Sequence, residues 1–339
     1  MNHSSFAVVL TALLPTAAFA DVFVPEGDAG TLLRLNSEYE TVARVDGLNN
    51  VHGMSAAPKR GYLVLGSLSE TDRADIARPT VVSEDEHAAH HGGGGTDMSG
   101  SVSVVTILDE ASSEVLKQIE VPGVVHHVEV SADERWAVVT HPALEAISII
   151  DLEKAEVSAT IETGSNPEYA ISDPTTGRFF VSNAGSGTIS DVDPESGVVV
   201  RTFKVDGDPR HMRLLADARK LVVAEADEGV VSILDADSGD SLKTLDIGGE
   251  LHGIAAMGDM VFVSARERGQ IVRIDTATGA TIEKAQGEQP YHMTLAGSDL
   301  LVSSAEDPVL WVLDSTTLEL KKTIATAATA HQMFVTEGF

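Results

Sequence analysis

The chain has 339 residues, of which 43% are apolar, enough for a large buried core. Its formal net charge is −29, from 23 Lys and Arg against 52 Asp and Glu, so its surface repels nucleic acid and anionic membranes and attracts cations. The absence of cysteine excludes disulfides, iron–sulfur clusters and thiolate metal sites. Any zinc or copper must be held by His, Asp, Glu or Met.

The first residues have the pattern of a secretory signal peptide. Phe6–Leu14 is an apolar core, and Ala18–Ala20 is a small-residue cleavage motif before Asp21. No later stretch has the ~18 apolar residues of a membrane span. We therefore expect residues 1–20 to be a signal peptide and residues 21–339 to form one periplasmic domain without membrane insertion.

A repeat of about 40 residues runs along the chain and predicts the fold. One short apolar strand in each repeat ends in aspartate, followed by turn residues whose backbone that side chain can bond. These aspartates are Asp109, Asp151, Asp193, Asp235, Asp275 and Asp314, at steps of 42, 42, 42, 40 and 39. Each unit reads as four short strands. Units of this period and strand number are typical of β-propeller blades, so we predict an all-β fold of four-stranded antiparallel blades.

The number of repeats predicts seven blades. Six complete units begin near His52, His127, Tyr169, His211, His252 and His292. A seventh begins at His331 and stops one strand later, at Phe339. Strands in the first part of the mature chain can supply the rest, so the N- and C-termini should share a closing blade, with residues 332–335 pairing beside residues 21–25. That closure removes open sheet edges.

The unit that begins at His52 carries an insertion at about residues 68–100. It contains the segment EDEHAAHH and four consecutive glycines, a composition that predicts a mobile loop. The insertion joins a second strand to a third strand, which places it on the face where the innermost strands begin. The loop histidines His87, His90 and His91 follow three acidic residues, and short His-rich tracts are typical of metal binding. A solvated acidic loop without a ligand is the alternative.

Six histidines recur near the start of the innermost strand and should converge on the propeller axis. They are His52, His127, His211, His252, His292 and His331, and Tyr169 occupies the place in the remaining unit. Clustered neutral imidazoles are ligands for zinc or copper. We predict that three or four of them share an ion. A hydrogen-bonded polar hub without metal is the alternative.

Other residues near these histidines have less specific interpretations. Met54, Met212, Met293 and Met333 follow hub histidines, and thioethers favour Cu(I), but methionine filling the gaps between blades is the better explanation. We therefore expect the hub to bind zinc in preference to copper. His126 should point away from the axis, since neighbours on a strand alternate. The role of His141 is left open. Arg213, Arg266 and Glu225 are possible lining residues of the mouth.

Segments such as FFVSNAGSGTISDVD and LVVAEADEGVVSILD resemble the YVTN-type repeat of exported seven-bladed propellers. With the signal peptide, the hub histidines and the EDEHAAHH loop, the chain is similar to the AztD family of periplasmic zinc metallochaperones. That resemblance implies a zinc carrier that delivers its ion to the solute-binding protein of a zinc ABC transporter. It does not assign individual ligands.

The expected function is thus a monomeric, non-enzymatic zinc metallochaperone. No G-x-S-x-G or H-E-x-x-H motif and no glycine-rich phosphate loop is present. Two alternatives stay open. One is a metal-dependent propeller hydrolase or lactonase in which a hub ion activates water. The other is a protein-interaction propeller with a polar hub and no metal.

The pairing of the acidic, His-rich segment with the glycine run generates a prediction about zinc transfer. Deletion of residues 84–95 should slow transfer to the solute-binding protein while the hub still binds zinc, because the loop histidines and carboxylates promote encounter with the cation. Stopped-flow transfer kinetics with a zinc indicator would measure this. Transfer at the wild-type rate would reduce the loop to a solvated insertion.

Overall fold

A computed structural model describes residues 21–72, 101–215, 217 and 219–336 of the chain. The expected signal peptide and the loop histidines His87, His90 and His91 lie outside these residues. Within the described part, no helix is long and apolar enough to cross a membrane.

The described strands form seven antiparallel sheets arranged as propeller blades, which confirms the predicted all-β seven-bladed fold. We number the blades in chain order and give the strands of each from the axis outward. Blade 1 comprises Val51–Ala57, Tyr62–Ser67, Ser101–Asp109 and Val115–Pro122, with the short strand Thr71–Asp72 also paired to its third strand. Blade 2 comprises Val128–Val130, Trp136–His141, Ala146–Asp151 and Glu156–Glu162.

The next four blades have the same order of strands. Blade 3 comprises Pro167–Asp173, Arg178–Asn183, Thr188–Asp193 and Val198–Lys204. Blade 4 comprises Pro209–Leu215, Lys220–Glu225, Val230–Asp235 and Ser241–Asp246. Blade 5 comprises Leu251–Met257, Met260–Ala265, Gln270–Asp275 and Thr281–Ala285. Blade 6 comprises Pro290–Ala296, Asp299–Ser304, Val309–Asp314 and Leu320–Ala325.

Blade 7 joins the two ends of the chain, as predicted. Phe334–Val335 is its innermost strand, followed outward by Val22–Glu26, Thr31–Leu35 and Thr41–Asp46. Val22 pairs with Val335 and Phe23 with Phe334. The closing blade joins the first and last described strands in one sheet, and a ring of such blades leaves only short, protected sheet edges.

Burial follows the position of each strand in its blade. Middle strands are buried on both faces, as in Ala146–Asp151, whereas the outer strand Glu156–Glu162 alternates between exposed and half-buried residues. Apolar clusters fill the spaces between blades. Val64 and Val105 of blade 1, for example, pack with Val128 and Val139 of blade 2. The core is therefore divided among the blade interfaces and surrounds the axis.

The predicted turn chemistry is present at the ends of the third strands. The Asp235 Oδ1 atom accepts N–H bonds from Asp237 and Ser238, and Asp275 accepts the equivalent pair from Ala277 and Thr278. These donors stabilise the carboxylate and lower the pKa of Asp235 and of Asp275.

Blade closure generates a stability prediction. Truncation after residue 331 removes buried Met333 and the strand that pairs with Val22 and Phe23. Loss of several apolar groups costs a few kcal/mol, so the melting temperature should fall by about 5 °C or more. Thermal unfolding followed by circular dichroism measures the change. An unchanged melting temperature would show that the closing strand contributes little to the ring.

Candidate metal centre at the propeller axis

A β-bulge near the start of the innermost strands turns two successive residues toward the hub. In blade 4, Pro209 pairs with Glu225 and Met212 with Val223, so Arg210 and His211 together oppose a single residue of the second strand. Blades 1, 5 and 6 have the same two-residue irregularity. Bulges re-aim side chains and are common beside functional sites. Each of these blades thus presents a first and a second bulge position.

The repeat predicts that the six histidines occupy the same position in each blade. This prediction is wrong, because they are divided between the two positions of the bulge. Pairing shows that Val51 and Leu251 correspond to Pro209, which makes His52 and His252 equivalent to Arg210 rather than to His211. The first position holds His52, His126, Glu168, Arg210, His252, Tyr291 and His331. The second holds Gly53, His127, Tyr169, His211, Gly253, His292 and Gln332.

Glycine at the second position has a steric cause. A Cβ atom on Gly253 would lie 2.2 Å from the Tyr291 carbonyl oxygen, and one on Gly53 would lie 2.8 Å from the His127 Cα atom. The next blade's backbone therefore approaches closely at these two places, where a histidine takes the first position. Those blades contribute one imidazole each and no side chain at the second position.

Five of the six histidines come together in two overlapping groups. One ring nitrogen each from His52, His292 and His331 lies within 4.8 Å of the others, and the same holds for His211, His252 and His292. His292 belongs to both groups. Ring centres are 4.3 Å apart for His52 and His331 and 4.4 Å apart for His211 and His252. Among the described residues, these are the two clusters with spacing suited to an ion.

His127 stays outside both groups. Its Nε2 atom lies 3.0 Å from the Ala170 carbonyl oxygen, to which it donates, and its ring stacks on Tyr169 with ring centres 3.6 Å apart. The second bulge position of blade 3 is a tyrosine, and stacking on it turns His127 away from the shared ion position. His127 is a structural neighbour of the hub in this arrangement.

Several nitrogens in the two groups have no hydrogen-bond partner. Both ring nitrogens of His211 and His252 and the Nε2 atom of His292 are buried and unpartnered among the described residues. Leaving one such group unsatisfied costs about 1–3 kcal/mol. His52 is different, because its Nδ1 atom donates to the His126 carbonyl oxygen at 2.8 Å and leaves Nε2 with its lone pair. A backbone carbonyl commonly fixes the tautomer of a metal-ligating histidine in this way.

Burial keeps these imidazoles neutral. It lowers the pKa of His52, His211, His252 and His292 well below the usual 6.5, with repulsion from neighbouring histidines and arginines as a further cause. Burial likewise lowers the pKa of His331 to about 4. Neutral imidazole is the form that coordinates a metal ion.

His126 faces the hub, which contradicts the expectation that it points away from the axis. Its ring centre is 4.6 Å from that of His52. The Nδ1 atom donates to the Glu168 carbonyl oxygen at 2.9 Å, and Nε2 lies 3.2 Å from the Glu168 carboxylate. The bulge breaks strand alternation, so the alternation rule does not hold at this residue. His126 positions His52 through its carbonyl group while its own ring is held by Glu168.

His141 has a structural role. It ends the second strand of blade 2, where Nδ1 donates to the Val124 carbonyl oxygen at 2.9 Å and Nε2 lies 2.8 Å from the Ser148 hydroxyl. Burial lowers its pKa to about 4. Glu225, at the equivalent place in blade 4, accepts a hydrogen bond from Ser232. Neither residue belongs to the two histidine groups.

Hydroxyl side chains on the second strands connect the bulges to the neighbouring blades through hydrogen bonds. The Ser264 Oγ atom accepts the Gly253 N–H at 2.7 Å and donates to the Tyr291 carbonyl oxygen at 2.8 Å. Thr140 bridges His127 and Glu168 in the same way between blades 2 and 3. These hydrogen bonds fix the backbone that carries the hub side chains.

Tyr291 is a hub residue that the histidine pattern did not predict. Its ring stacks on His252 with ring centres 3.9 Å apart and an angle of 15°, and the Arg266 guanidinium carbon lies over the same ring at 5.6 Å from its centre. Arg266 also donates to Glu250 at 3.2 Å. The sequence does contain a signal for it. Tyr291 immediately precedes His292, just as Arg210 immediately precedes His211, so both residues lie at the first bulge position.

The four methionines do not contribute to the hub. Met54, Met212, Met293 and Met333 are buried in apolar clusters between blades. The prediction that they fill gaps between blades is confirmed. The donor set at the axis is consequently nitrogen without thioether sulfur, which suits zinc better than Cu(I).

Comparison with known proteins identifies the fold. The periplasmic gluconolactonase PpgL of Pseudomonas aeruginosa is similar to this chain, with a TM-score of 0.71 and 15% identity over 95% of this chain and 100% of the other. A candidate 6-phosphogluconolactonase of Bacteroides fragilis gives 0.73 and 14%, over 95% and 99%. The dihydro-heme d1 dehydrogenase NirN gives 0.65 and 15%, over 93% of this chain and 66% of its own.

No protein-family model and no curated protein matches the chain. Identities of 14–15% show a shared propeller fold alone. The similarity to the zinc metallochaperone family therefore remains a prediction. The expectation that the protein is not an enzyme is contradicted to this extent: the structural neighbours carry the names of lactonases and a dehydrogenase.

The buried histidines generate a prediction about acid stability. An unfolded chain protonates its histidines near ~6.5, whereas the folded hub resists protonation, so the unfolded state binds more protons below that pH. Stability of the metal-free protein should be constant above ~6.5 and fall steadily toward about 4, where His331 and His141 titrate in the folded state. A tenfold difference in proton affinity between the two states corresponds to about 1.4 kcal/mol of unfolding free energy.

Urea unfolding between pH 8 and 4.5 measures this dependence. Burial raises the pKa of Glu129 to about 7, which works in the opposite direction, but it is one group against the hub histidines and His141. Constant stability across this range would mean that the hub is hydrated and not buried.

Proposed function

We propose that the hub binds zinc and that the protein is an exported, metal-dependent hydrolase acting on an ester or a lactone. The observation that carries this proposal is the pair of three-histidine groups, in which buried ring nitrogens of four histidines lack partners among the described residues, namely His211, His252, His292 and His331. A polar hub without metal would be expected to pair those nitrogens internally. The structural likeness to proteins named as gluconolactonases favours hydrolysis, and the signal-like N-terminus favours the periplasm.

The donor set fits zinc in number and type. Three histidines are a common catalytic zinc ligand set that leaves the fourth position open, where the ion lowers the pKa of water and polarises a carbonyl group. His211, His252 and His292 would hold the ion in one group, and His52, His292 and His331 in the other. Because His292 is shared, loss of this one side chain removes a ligand from both.

Residues around the groups would orient the ligands and the substrate. The His126 carbonyl fixes the tautomer of His52, and the Glu168 carboxylate holds His126. Tyr291 is half-buried against His252 and His292, where its phenol can donate to a substrate oxygen. Contacts of the Tyr291 ring with His252 and with Arg266 limit its movement.

Zinc delivery is a second candidate, and the sharing of His292 favours it. An ion exchanged between two groups that have one ligand in common never loses all of its ligands at once. In that case zinc is the cargo, and its recipient would be the solute-binding protein of a zinc ABC transporter. The loop histidines His87, His90 and His91 would assist the exchange. The protein is expected to act as a monomer.

Substitution of the shared ligand tests the metal site. His292→Ala should lose tightly bound zinc, whereas His127→Gln should retain it, because His127 lies outside both groups and glutamine can still donate to Ala170. Metal content of tag-free protein, measured by mass spectrometry after dialysis, reports the difference. Equal zinc in both variants would contradict the assignment of the two groups. Circular dichroism checks that each variant folds.

Turnover tests the reaction. Zinc-loaded protein should hydrolyse gluconolactone or p-nitrophenyl acetate faster than the buffer does. A chelator should abolish the rate, and added zinc should restore it, because the ion supplies the activated water. His292→Ala should reduce the rate at least ~100-fold, as expected when the group that supports the chemistry is removed. Tight zinc binding without turnover on either substrate would favour delivery over hydrolysis.

A further inference from the structure

The innermost strands of a β-propeller surround a central channel, and the layer next to the hub histidines carries polar side chains. Three residues after the first bulge position, the innermost strands place Ser55, Glu129, Arg213 and Thr294, all half-buried. An innermost strand is covered by its own second strand and by both neighbouring blades. The exposure that remains at these positions is therefore to the axial channel.

Arg213 is anchored on the wall of this channel. Its Nη1 atom donates to the Tyr169 phenol oxygen at 2.5 Å and to the Met212 carbonyl oxygen at 2.9 Å. The guanidinium carbon lies 5.5 Å from the centre of the Tyr169 ring. Two hydrogen bonds and an aromatic contact thus fix the direction in which the charge points.

No carboxylate of the described residues forms an ion pair with Arg213. Twelve arginines lie in the described residues, and ten of them approach an Asp or Glu oxygen within 4.0 Å. The two exceptions within that part of the chain are Arg213 and Arg273. Glu129 shares the layer of Arg213 and accepts the Ser172 N–H. Burial raises its pKa to about 7, although the Ser172 hydrogen bond and the charge of Arg213 both act to lower that pKa. In a chain with a net charge of −29, such an arginine facing a channel is unusual.

The donors left at this site match an anion. A guanidinium group has five N–H donors, and the two contacts of Arg213 both use Nη1, so Nε and Nη2 keep theirs. Since the Tyr169 oxygen accepts from Arg213, its own proton can be donated elsewhere. A guanidinium fork beside a phenol is suited to the oxygens of a carboxylate or a phosphate.

We propose that Arg213 and Tyr169 form a binding site for the carboxylate or phosphate group of a small molecule in the axial channel. The Tyr169 ring centre is 4.8 Å from that of His211, which places the bound group within one side chain of the hub. If the protein is the proposed hydrolase, the ligand of this site is a substrate that carries an acidic group, or the acid that the reaction produces. Anion binding itself does not require the metal.

Calorimetric titration of the metal-free full chain with inorganic phosphate and with gluconate tests the site. Arg213→Gln should weaken binding of the preferred probe about tenfold or more, because a charge-assisted fork is lost. Tyr169→Phe keeps the ring against His127 and should weaken binding a few-fold. The matched control is Arg273→Gln, which makes the same charge change at the other described arginine that has no ion pair, and this variant should bind like the wild type.

The two probes distinguish a phosphate site from a carboxylate site, and preference for either supports the proposal. Millimolar phosphate and gluconate both failing to bind the wild type would overturn it, as would equal affinity of the Arg213→Gln and Arg273→Gln variants. If Arg213→Gln does not fold, Tyr169→Phe and Arg213→Lys decide the question. Zinc content is measured on the same variants, so a hub that binds no zinc refutes the proposed function without affecting this result.

Discussion

The chemistry at the axis depends on a backbone irregularity. A regular innermost strand would direct alternate side chains to opposite faces of its blade, and only one residue in two could approach the hub. The bulge places successive residues such as Arg210 and His211 there together. Hydroxyl groups like that of Ser264 then tie the bulge to the next blade, so the position of an imidazole is set by two blades and not by one.

This arrangement destabilises the metal-free protein. Burial of His211 and His252 with unpartnered nitrogens opposes folding, and because both stay neutral in the fold, protons bind preferentially to the unfolded chain. A cation that binds only the folded hub reverses both effects, because its binding energy adds directly to the free energy of unfolding. The blade interfaces must supply the stability that offsets this cost, and the apolar clusters between the blades are consistent with that.

The sequence predicted the fold well because the period is a global signal. Repeated aspartates such as Asp151 and Asp193 mark the same strand end in successive blades, and errors of one residue do not change the number of blades. The candidate site is sensitive to errors of that size. From Arg210 to His252 the step is 42, equal to that from Glu168 to Arg210, which places His252 in the first bulge position. The number of residues between repeats therefore predicts the bulge position better than the presence of a histidine does.

Residues that the sequence could not place owe their position to contacts between blades. His127 was expected among the ligands, but its neighbour in the next blade is Tyr169, and stacking with that ring decides its direction. Arg213 gives a weak signal in the sequence, because charged residues near a channel mouth are usually solvated. Its meaning depends on the lack of an ion pair among the described residues, and pairing of that kind follows from three-dimensional proximity that repeat spacing does not encode.

Glycine and charge together explain how a hub this crowded can admit an ion. Side chains at every second bulge position would crowd the axis, and in two blades this position is a glycine, against which the backbone of the next blade packs at His127 and at Tyr291. The net charge of −29 lies on the rest of the chain and raises the local concentration of cations. Long-range attraction therefore comes from the surface, while affinity and selectivity come from neutral nitrogens at the axis. That separation lets the hub exclude protons over most of the range in which histidine normally titrates, and still accept a divalent cation that several imidazoles can share.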